Sequence, residues 1–325
     1  MVLVTGANGF VGSHLTEALL ARGYRVRCMV RRSSDLAFIR DLPVEWAYAD
    51  LRDGSDLVQA CRGVDAVCHC AALTRAPDEE TFMRVNAHGT EVLARTALGT
   101  NPDLERFLFV SSQTAIGPAA GKDQPVDESS VPHPVNWYGQ SKLAAERALT
   151  AMQPSLPATI LRVSAIFGPR DRDFFSYFEL VKWGLSLYPS RNEQRLSLVY
   201  VHDLVDLILL ALESETAIGE TYIACGYEAS HRKFAETIAR AMHKRPLHIV
   251  VPDAVLSTIA LWSRVQTRLT GRTPLLNDQR IVDMRQDYWL CSAEKARREL
   301  GYAPNSDLET AVQETADWYL ENGWL

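Results

Sequence analysis

Short apolar runs alternate with helical patterns through the first half of the chain. Five runs rich in Val, Leu, Phe and Cys predict strands that are buried on both faces. They are Val2–Thr5, Arg25–Val30, Val44–Ala49, Ala66–Cys70 and Phe107–Val110. The helical patterns between them are Phe10–Arg22, Asp35–Arg40, Asp56–Cys61 and Glu79–Leu98. Strand–helix–strand units repeated in this way predict a parallel sheet with helices on both faces, which is an α/β fold.

The pattern changes in the second half of the chain. Strands and helices first continue through Trp137–Met152, Thr159–Ser164, Leu196–Val201, Leu204–Leu212 and Thr221–Ala224. The later elements are mostly helices, at His231–Met242, Ala254–Leu269, Ala293–Leu300 and Leu308–Leu320, with one apolar run at Leu247–Val251. We therefore predict a Rossmann-type doubly wound parallel sheet in residues 1–164 and about 195–226. A smaller, mostly helical C-terminal substrate lobe is predicted for about 165–194 and 227–325, with irregular stretches at 112–134 and 270–288 that are long enough to bind a ligand.

Composition and charge exclude several classes of protein. The chain has 325 residues, 47% of them hydrophobic and 23% charged, which is typical of a globular protein and excludes a disordered or fibrous one. Its net charge of −6 supplies no basic surplus, so we expect no nucleic-acid partner. No apolar run reaches the roughly 18–20 residues of a membrane span. The six cysteines lack the spacing of a disulfide framework or a zinc site, so we expect reduced thiols, no metal and a cytoplasmic location.

The segment Thr5–Gly12 reads Thr-Gly-Ala-Asn-Gly-Phe-Val-Gly and lies between the first predicted strand and the first predicted helix. A glycine turn in this position lets backbone N–H groups and the positive end of the helix dipole approach a pyrophosphate. Its spacing departs by one residue from G-x-G-x-x-G, which points to a different branch of dinucleotide-binding folds. Glycines that serve only tight helix–strand packing are the alternative. The predicted cofactor residues of the turn are Gly6, Asn8, Gly9, Phe10, Val11 and Gly12.

Residues at the ends of the next three strands fit the same cofactor. Arg31 and Arg32 follow the second strand, where a carboxylate binds the ribose of NAD and an arginine accommodates the 2′-phosphate of NADP. The two arginines therefore favour NADP, and the alternative is an NAD enzyme in which both are solvated surface residues. Asp50 follows the third strand and can accept a hydrogen bond from the adenine amine. Ala71 and Ala72 follow the fourth strand, where small side chains let the cofactor lie against the backbone.

Tyr138 and Lys142 are four residues apart on a predicted helix and therefore share one face. Ser112 ends the fifth strand and faces the same cleft. A free tyrosine has a pKa near 10, and lowering it by three units takes about 4 kcal/mol of stabilisation of the phenolate. We predict that the ammonium of Lys142, with a positively charged oxidised nicotinamide nearby, favours the phenolate. Tyr138 then exchanges a proton with an alcohol or a carbonyl, and Ser112 hydrogen-bonds the reacting oxygen.

These motifs resemble those of the extended short-chain dehydrogenases/reductases. This broad group contains NAD(P)-dependent epimerases, dehydratases and reductases similar to 3β-hydroxysteroid dehydrogenase. The resemblance covers almost the whole chain. It includes Thr5–Gly12, Asp50-Leu51, His69–Ala72, Asn86–Thr90, Val110–Ser112, Tyr138–Lys142, Leu161-Arg162, Phe167–Pro169 and Ala293–Pro304.

The resemblance implies roles for particular residues. Ser112, Tyr138 and Lys142 would form the catalytic triad, with Lys142 also bonding the nicotinamide ribose. Asn86 would order the site from behind these residues, and Leu51 would accompany Asp50 at the cofactor. Members of the group usually form homodimers through a four-helix bundle, which here would use the faces of the predicted helices Glu79–Leu98 and Trp137–Met152.

Ala165 departs from one branch of this group. Members that act on nucleotide-sugars usually carry an asparagine three residues after the arginine of the sixth strand, here Arg162, and Ala165 offers no such hydrogen bond. This departure favours the reductase branch. The aromatic residues that follow are candidates for lining an apolar substrate pocket or for the core of the smaller lobe. Arg170 and Arg172 are candidates for binding an acidic group of the substrate, and the alternative is that they are solvated surface residues. The predicted substrate residues are Thr74, Gln113, Ala165 and Phe174.

We therefore predict an oxidoreductase acting on a small-molecule substrate. It would transfer hydride between a nicotinamide cofactor, NADP in preference to NAD, and a secondary alcohol or ketone, with Tyr138 as general acid/base. The alternative is a nucleotide-sugar epimerase or dehydratase whose tightly bound cofactor is recycled internally. A sensor that binds the dinucleotide without chemistry is a third class, but such proteins typically lack the tyrosine or the lysine.

Overall fold

The computed structural model describes residues 1–189, 194–270, 273–274 and 276–325. Its strands are β1 (Val2–Thr5), β2 (Val26–Val30), β3 (Glu45–Tyr48), β4 (Ala66–His69), β5 (Arg106–Ser112), β6 (Ala158–Val163), β7 (Ala165–Phe167), β8 (Leu185–Pro189), β9 (Arg195–Tyr200), β10 (Thr221–Ala224), β11 (Tyr227–Ser230), β12 (Leu247–Val251) and β13 (Tyr288–Trp289). Its α-helices are α1 (Phe10–Ala21), α2 (Leu57–Cys61), α3 (Glu79–Phe82), α4 (Gly89–Thr100), α5 (Trp137–Thr150), α6 (Phe175–Lys182), α7 (Val201–Glu213), α8 (His231–Ala241), α9 (Asp253–Thr270), α10 (Asp278–Met284), α11 (Glu294–Leu300) and α12 (Leu308–Glu321). A π-helical turn spans Met83–His88, and 3₁₀ turns span Gln113–Ala115 and Glu215–Ala217.

Seven strands form one parallel sheet in the order β10-β6-β5-β4-β1-β2-β3. β1 lies inside the sheet, where Val2 pairs with Val26 of β2 on one side and with Ala66 of β4 on the other. This architecture confirms the predicted α/β, doubly wound fold. The strand order changes direction between β1 and β4, and in such folds ligands bind beyond the carboxyl ends of the strands at this point.

Each face of the sheet is covered by a separate hydrophobic core. Successive strand residues point to opposite faces, so Leu3 and Val4 of β1 belong to different cores. Val4 packs in a cluster with Leu15 of α1 and Leu207 of α7. Leu3 packs in a cluster with Leu93 of α4 and with residues of α5. Burial on both faces explains why the strands read as continuous apolar runs in the sequence.

A second, smaller sheet lies outside the seven-stranded one. β9 pairs with β7 and β13 in parallel and with β11 in antiparallel, and β8 and β12 form a separate two-stranded parallel ribbon. Phe167, Phe234 and Tyr319 are buried where α8 and α12 pack on this sheet. β9 falls within residues 195–226, assigned from sequence to the nucleotide-binding domain, and β10 of the same range joins the large sheet. The division into two domains stays a prediction.

Two of the predicted helices differ from the structure. Residues 37–40 form turns instead of the predicted helix over 35–40, and the Asp35 carboxylate accepts a hydrogen bond from the N–H of Ala37 (3.0 Å) at their start. The predicted helix Glu79–Leu98 is divided into α3 and α4 by the π-helical turn at Met83–His88. π-helical turns of this kind occur frequently at functional sites.

Replacing Gly12 with alanine tests the tight packing at the start of α1. A Cβ at position 12 would overlap the carbonyl oxygen of Gly6 and lie 2.9 Å from Cα of Ala7. We expect Gly12→Ala to lower the free energy of unfolding by about 1–3 kcal/mol, because backbone atoms must shift. Gly99→Ala is the control, since position 99 is an exposed helical site with no atom within 4 Å, and it should gain up to about 1 kcal/mol. Urea unfolding without nucleotide measures both, and equal effects would contradict the prediction.

Candidate active site

The carboxyl ends of the parallel strands meet along one edge of the large sheet. The glycine turn follows β1, Arg31 follows β2, Ala71 closely follows β4, and Ser112 ends β5. Chain segments far apart in sequence are therefore brought to the same edge. This is the edge at which dinucleotides bind in folds with this strand order.

The glycine turn has the geometry of a pyrophosphate cradle. Gly6 has φ +67°, which favours glycine, and a Cβ there would lie 2.8 Å from Cα of Ala71. The N–H of Gly9 donates to the carbonyl oxygen of Gly6 (2.9 Å) and closes the turn. Gly9 caps α1 and has no side chain to accept from the first N–H groups of the helix, so the residues present fit a dinucleotide. The other predicted residues of the turn are Asn8, Phe10 and Val11, which are half-buried, and Gly12, which is buried.

The residues after β2 and β3 behave differently from one another. Arg31 and Arg32 are exposed, no ion pair joins either to a described residue, and the Arg32 guanidinium lies 5.2 Å from the ring centroid of Tyr48. Asp50 forms an ion pair with Arg52 (2.6 Å), and hydrogen bonds from this guanidinium hold the pKa of Asp50 below its usual range. Arg52 therefore competes for the carboxylate that was predicted to bind the adenine amine.

Asn86 connects the loop after β4 to α5. Its Oδ1 accepts from the N–H of Leu73 (2.8 Å), and its Nδ2 donates to the Leu73 carbonyl oxygen (2.9 Å) and to Ser141 Oγ (3.1 Å). Asn86 is buried and lies in the π-helical turn. The N–H of Ala71 donates to Thr5 Oγ1 (3.2 Å), which attaches the same loop to β1. The remaining predicted cofactor residues near this loop, Leu51 and Ala72, are half-buried.

Ser112 lies beside Tyr138, close enough for its side chain to act on the phenol and lower its pKa. The hydroxyl of Thr114 donates to Ser112 Oγ (2.9 Å), and Asn136 caps α5 by accepting from the N–H of Gly139 (2.6 Å). A Cβ at position 139 would lie 2.9 Å from the carbonyl carbon of Thr114. Glycine at this position therefore allows α5 to begin close enough to β5 for Tyr138 to reach Ser112.

Lys142 is buried beneath the site. Its Nζ donates to the carbonyl oxygen of Val110 (2.7 Å) and lies 4.1 Å from the ring centroid of Phe109. One helical turn further along α5, Glu146 pairs with Arg162 (2.8 Å). Burial lowers the pKa of Lys142 to about 7, and the negative charge of Glu146 opposes this shift. Lys142 is therefore close to balance between ammonium and amine at neutral pH.

In the protein without cofactor the pKa of Tyr138 is not lowered, and its lowering by Lys142 together with an oxidised nicotinamide stays a prediction. Burial raises the pKa of Tyr138 to about 12, and the side chain of Ser112 offsets only part of this increase. The ammonium of Lys142 is directed at the carbonyl oxygen of Val110 instead. Tyr138 is consequently a neutral phenol at neutral pH.

The predicted substrate residues occupy different environments. Gln113 is buried, and its Nε2 has no hydrogen-bond partner among the described residues. Phe174 is buried against the rings of Tyr177 and Phe234, with centroids 5.5 and 5.4 Å apart, which places it in the core of the second sheet. The other two are Ala165, half-buried in β7, and Thr74, exposed in the loop after β4.

The two arginines considered for an acidic substrate group are already engaged. Arg170 pairs with Glu17 (2.7 Å), and its other terminal nitrogen donates to Ser13 Oγ (3.1 Å). The guanidinium of Arg172 lies 5.6 Å from the ring centroid of Trp324. These contacts connect the segment after β7 to α1 and to the C-terminal end of the chain.

α10 contributes residues that sequence reasoning missed. Gln279 accepts a hydrogen bond from the N–H of Trp137 (3.0 Å), and Asp283 accepts one from Asn136 Nδ2 (2.5 Å), so α10 is docked on the start of α5. The positive charge of Arg280 acts on Tyr138 and offsets part of the increase in its pKa that burial causes. Burial raises the pKa of Asp283 to about 6.

The sequence contained one signal for α10. Asn277 caps the helix by accepting from the N–H of Arg280 (3.1 Å), and asparagine followed by an acidic residue is typical of a helix start. The helix lies within the stretch 270–288, which was predicted to be irregular. Residues 271–272 and 275 of that stretch lie outside the described residues.

A second polar pair, Tyr177 and His231, was also missed. The Tyr177 hydroxyl lies 3.0 Å from His231 Nδ1, and the two rings are within 5° of parallel. Burial, together with the nearby positive charge of Arg280, lowers the pKa of His231 to about 4. The imidazole is therefore neutral at pH 7 and presents a hydrogen-bonding nitrogen on each side of the ring.

Comparisons with known proteins agree with this geometry. A family profile described as the NAD dependent epimerase/dehydratase family matches residues 2–225. The ceramide reductase of Caulobacter vibrioides is 29% identical over 329 residues, which cover 100% of this chain and 96% of that protein. Sterol demethylase protein B of Methylococcus capsulatus is 30% identical and aligns over 99% of both chains. The crystal structure of Thermus thermophilus UDP-glucose 4-epimerase in complex with NAD shares the fold, with a TM-score of 0.80, 24% identity and 98% of each chain covered.

The chain therefore belongs to the NAD-dependent epimerase/dehydratase family, within the extended short-chain dehydrogenases/reductases. The match confirms the family that the sequence motifs indicated. It also confirms that the protein is an enzyme of this NAD-dependent kind. Its relatives include both reductases and epimerases.

Removing the charge of Lys142 tests its burial. Its pKa is about 7 in the folded protein and roughly 10.4 in an unfolded chain, so the unfolded chain binds more protons between these pH values. The wild-type free energy of unfolding should therefore rise with pH from 7 to 10, by up to about 1.4 kcal/mol per pH unit relative to Lys142→Met. Lys233→Met, at an exposed lysine of α8, is the control; it retains Lys142 and should show the same slope as the wild type. Urea unfolding at three pH values measures the slopes, and identical slopes for all three proteins would contradict the prediction.

Proposed function

We propose that the enzyme transfers hydride between NADP and a secondary alcohol or ketone on an apolar substrate, with Tyr138 as general acid/base. The observation that carries the proposal is the position of Tyr138, in the first turn of α5, beside Ser112 at the end of β5, at the sheet edge where the glycine turn fits a dinucleotide. Two relatives with nearly full-length alignments are named for a ceramide and a sterol, which supports an apolar substrate.

The residues that would hold the cofactor are those of the strand ends. The turn Gly6–Gly12 would bind the pyrophosphate through backbone N–H groups, and Ala71 and Ala72 would allow the dinucleotide to lie against the chain. When bound, the nicotinamide ring supplies the redox chemistry by giving or accepting a hydride. Lys142 would bond the nicotinamide ribose.

Tyr138 would donate its phenolic proton to the carbonyl oxygen of the substrate. A pKa of about 12 keeps the phenol protonated at neutral pH, which is the form that a general acid needs. Ser112 would donate a hydrogen bond to the same oxygen. The Thr114 hydroxyl donates a hydrogen bond to Ser112 Oγ and so restricts the direction in which the Ser112 hydroxyl points. The protonated phenol is the form that reduction needs, and oxidation of an alcohol would use its phenolate.

Nucleotide-sugar epimerase or dehydratase chemistry is the second candidate. The fold it shares with UDP-glucose 4-epimerase favours it. Ala165 opposes it, because alanine offers no side-chain hydrogen bond at the position where nucleotide-sugar enzymes usually carry an asparagine. Absorbance near about 340 nm during turnover distinguishes the two, since net consumption of reduced cofactor occurs only in the oxidoreductase.

Replacing Tyr138 with phenylalanine should remove turnover and leave cofactor binding unchanged. We expect the rate of ketone reduction to fall by about 100- to 10,000-fold, the usual contribution of a positioned general acid. Tyr24→Phe is the matched control, because its hydroxyl contacts Glu213 near the amino end of β2, away from the site. Reduced-cofactor consumption with a panel of apolar ketones measures the rates, and calorimetry measures binding. Unaltered turnover in Tyr138→Phe would exclude the proposed role.

The preference for NADP is supported by Arg31 and Arg32, which are exposed at the end of β2 and form no ion pair within 4 Å with a described residue, although the charge of Arg31 acts on Asp50. We expect the double variant Arg31→Ala/Arg32→Ala to bind NADP at least about tenfold more weakly, because two charge-assisted contacts to the 2′-phosphate are lost. Its affinity for NAD should change by less than about twofold. Titration calorimetry with both cofactors measures this, and equal affinities in the native protein would contradict the preference.

A homodimer and a cytoplasmic location are also proposed. A surface groove between the α3–α4 region and α5 is lined by four small or apolar residues and four charged or polar ones. The small or apolar residues would let two helices of a second copy pack closely. The lining residues are Met83, Ala87, Ala144 and Ala148, with Glu80, Arg84, His88 and Glu91. All six cysteines are free, which suits a reducing compartment. Light scattering of the purified protein measures the oligomeric state.

A further inference from the structure

α9 is an 18-residue helix that lies on the surface with an apolar face outward. Trp262 is 70% exposed and Leu269 is 81% exposed, and both share a face of the helix with Val255 and Val265, which are also exposed. Leu256 packs inward. We call the exposed set Val255, Leu261, Trp262, Val265 and Leu269 the docking face.

Exposed apolar side chains are concentrated in this part of the chain. Fourteen large hydrophobic residues are exposed among the described residues, and eight of them lie between Leu247 and Leu269. Three of these eight belong to β12, which leads directly into α9 through Pro252. A contiguous exposed apolar surface of this kind marks an interaction site in a protein that otherwise buries such residues.

The charge of the same segment differs from that of the rest of the chain. Residues 244–272 contain five basic residues and one acidic residue, a net charge of +4 in a chain whose net charge is −6, and one of the five, Arg264, is paired with Asp278 outside the segment. The basic residues are Lys244, Arg245, Arg264, Arg268 and Arg272, and the acidic one is Asp253. Two copies of this segment would repel one another, which disfavours self-association through the docking face. An anionic surface would attract it.

A surface helix with exposed tryptophan and leucine beside basic residues is typical of helices that lie in a membrane interface. In the part of the chain that the structure describes, no helix has both the length and the apolarity to cross a bilayer. Contact with a membrane would therefore be parallel to its surface. We propose that α9 docks this enzyme on an anionic lipid surface, with Trp262 and Leu269 entering the boundary between headgroups and acyl chains.

The docking face is connected to the candidate active site through α10. Arg264 of α9 pairs with Asp278 of α10 (3.1 Å), and Arg285, next to the end of α10, donates to Ser257 of α9 (2.7 Å). α10 in turn is hydrogen-bonded to the start of α5, beside Tyr138. Docking through α9 would therefore bring the membrane close to α10 and α5, the two helices beside the candidate active site. An apolar substrate dissolved in the bilayer would then have a short path to the cleft.

Vesicle sedimentation tests the proposal directly. The full-length protein is mixed with vesicles of phosphatidylcholine alone or with about 30% phosphatidylglycerol, at low and at high salt. We expect binding to the anionic vesicles, weakened by salt, and an at least tenfold lower partition coefficient for Trp262→Ser/Leu269→Ser. Val131→Ser/Leu320→Ser is the matched control, because Val131 (83% exposed) and Leu320 (52% exposed) lie outside the segment, and it should bind like the wild type.

The proposal would be overturned by no binding to anionic vesicles or by equal losses in both double variants. A change of oligomeric state in Trp262→Ser/Leu269→Ser, measured by light scattering without lipid, would show instead that the face joins two copies of the chain. Thermal unfolding and calorimetry with NADP confirm that each variant is folded. Because none of these readouts depends on turnover, they are separate from the tests of Tyr138.

Discussion

The close contact between Gly139 and the carbonyl group of Thr114 determines the arrangement of the active site. It brings the first turn of α5 against the end of β5, so that Tyr138 reaches Ser112. Lys142, one turn further on, is then buried against Val110 and cannot extend into solvent. Asn136 supports the contact from both sides, because it caps α5 and also donates to Asp283 of α10. Any larger residue at position 139 would separate the helix from the strand and the phenol from the serine.

The electrostatics of the site follow from this burial. Tyr138 is half-buried and Lys142 is fully buried. Desolvation disfavours the charged form of each, raising the pKa of Tyr138 and lowering that of Lys142. The negative charge of Glu146 offsets part of the decrease in the pKa of Lys142, but Glu146 also forms an ion pair with Arg162. The protein alone therefore stabilises a neutral acid at Tyr138, which suits proton donation during reduction.

Most of the fold could be predicted from the sequence because strands buried on both faces read as continuous apolar runs, as at Val2–Thr5 and Ala66–His69. The proximity of Ser112 and Tyr138 followed from strand order and helical spacing. Three features could not be predicted: the π-helical turn around Asn86, the pairing of Asp50 with Arg52 and the orientation of Lys142. Each depends on which hydrogen-bond or charge partner a side chain has in the tertiary structure. Short strands such as β7 and β13 were missed because two or three residues carry no periodic signal.

The ionisation of Tyr138 is the central physical claim, and an ultraviolet titration tests it most directly. The absorbance of tyrosinate is recorded against pH for the wild type and for Tyr138→Phe without nucleotide, and the difference isolates one phenol. With a pKa of about 12, this difference should stay flat from pH 6 to pH 10. A step near pH 7 that disappears in Tyr138→Phe would show that the neighbouring ammonium already ionises the phenol, and would contradict the assignment of Tyr138 as a protonated acid in the free enzyme.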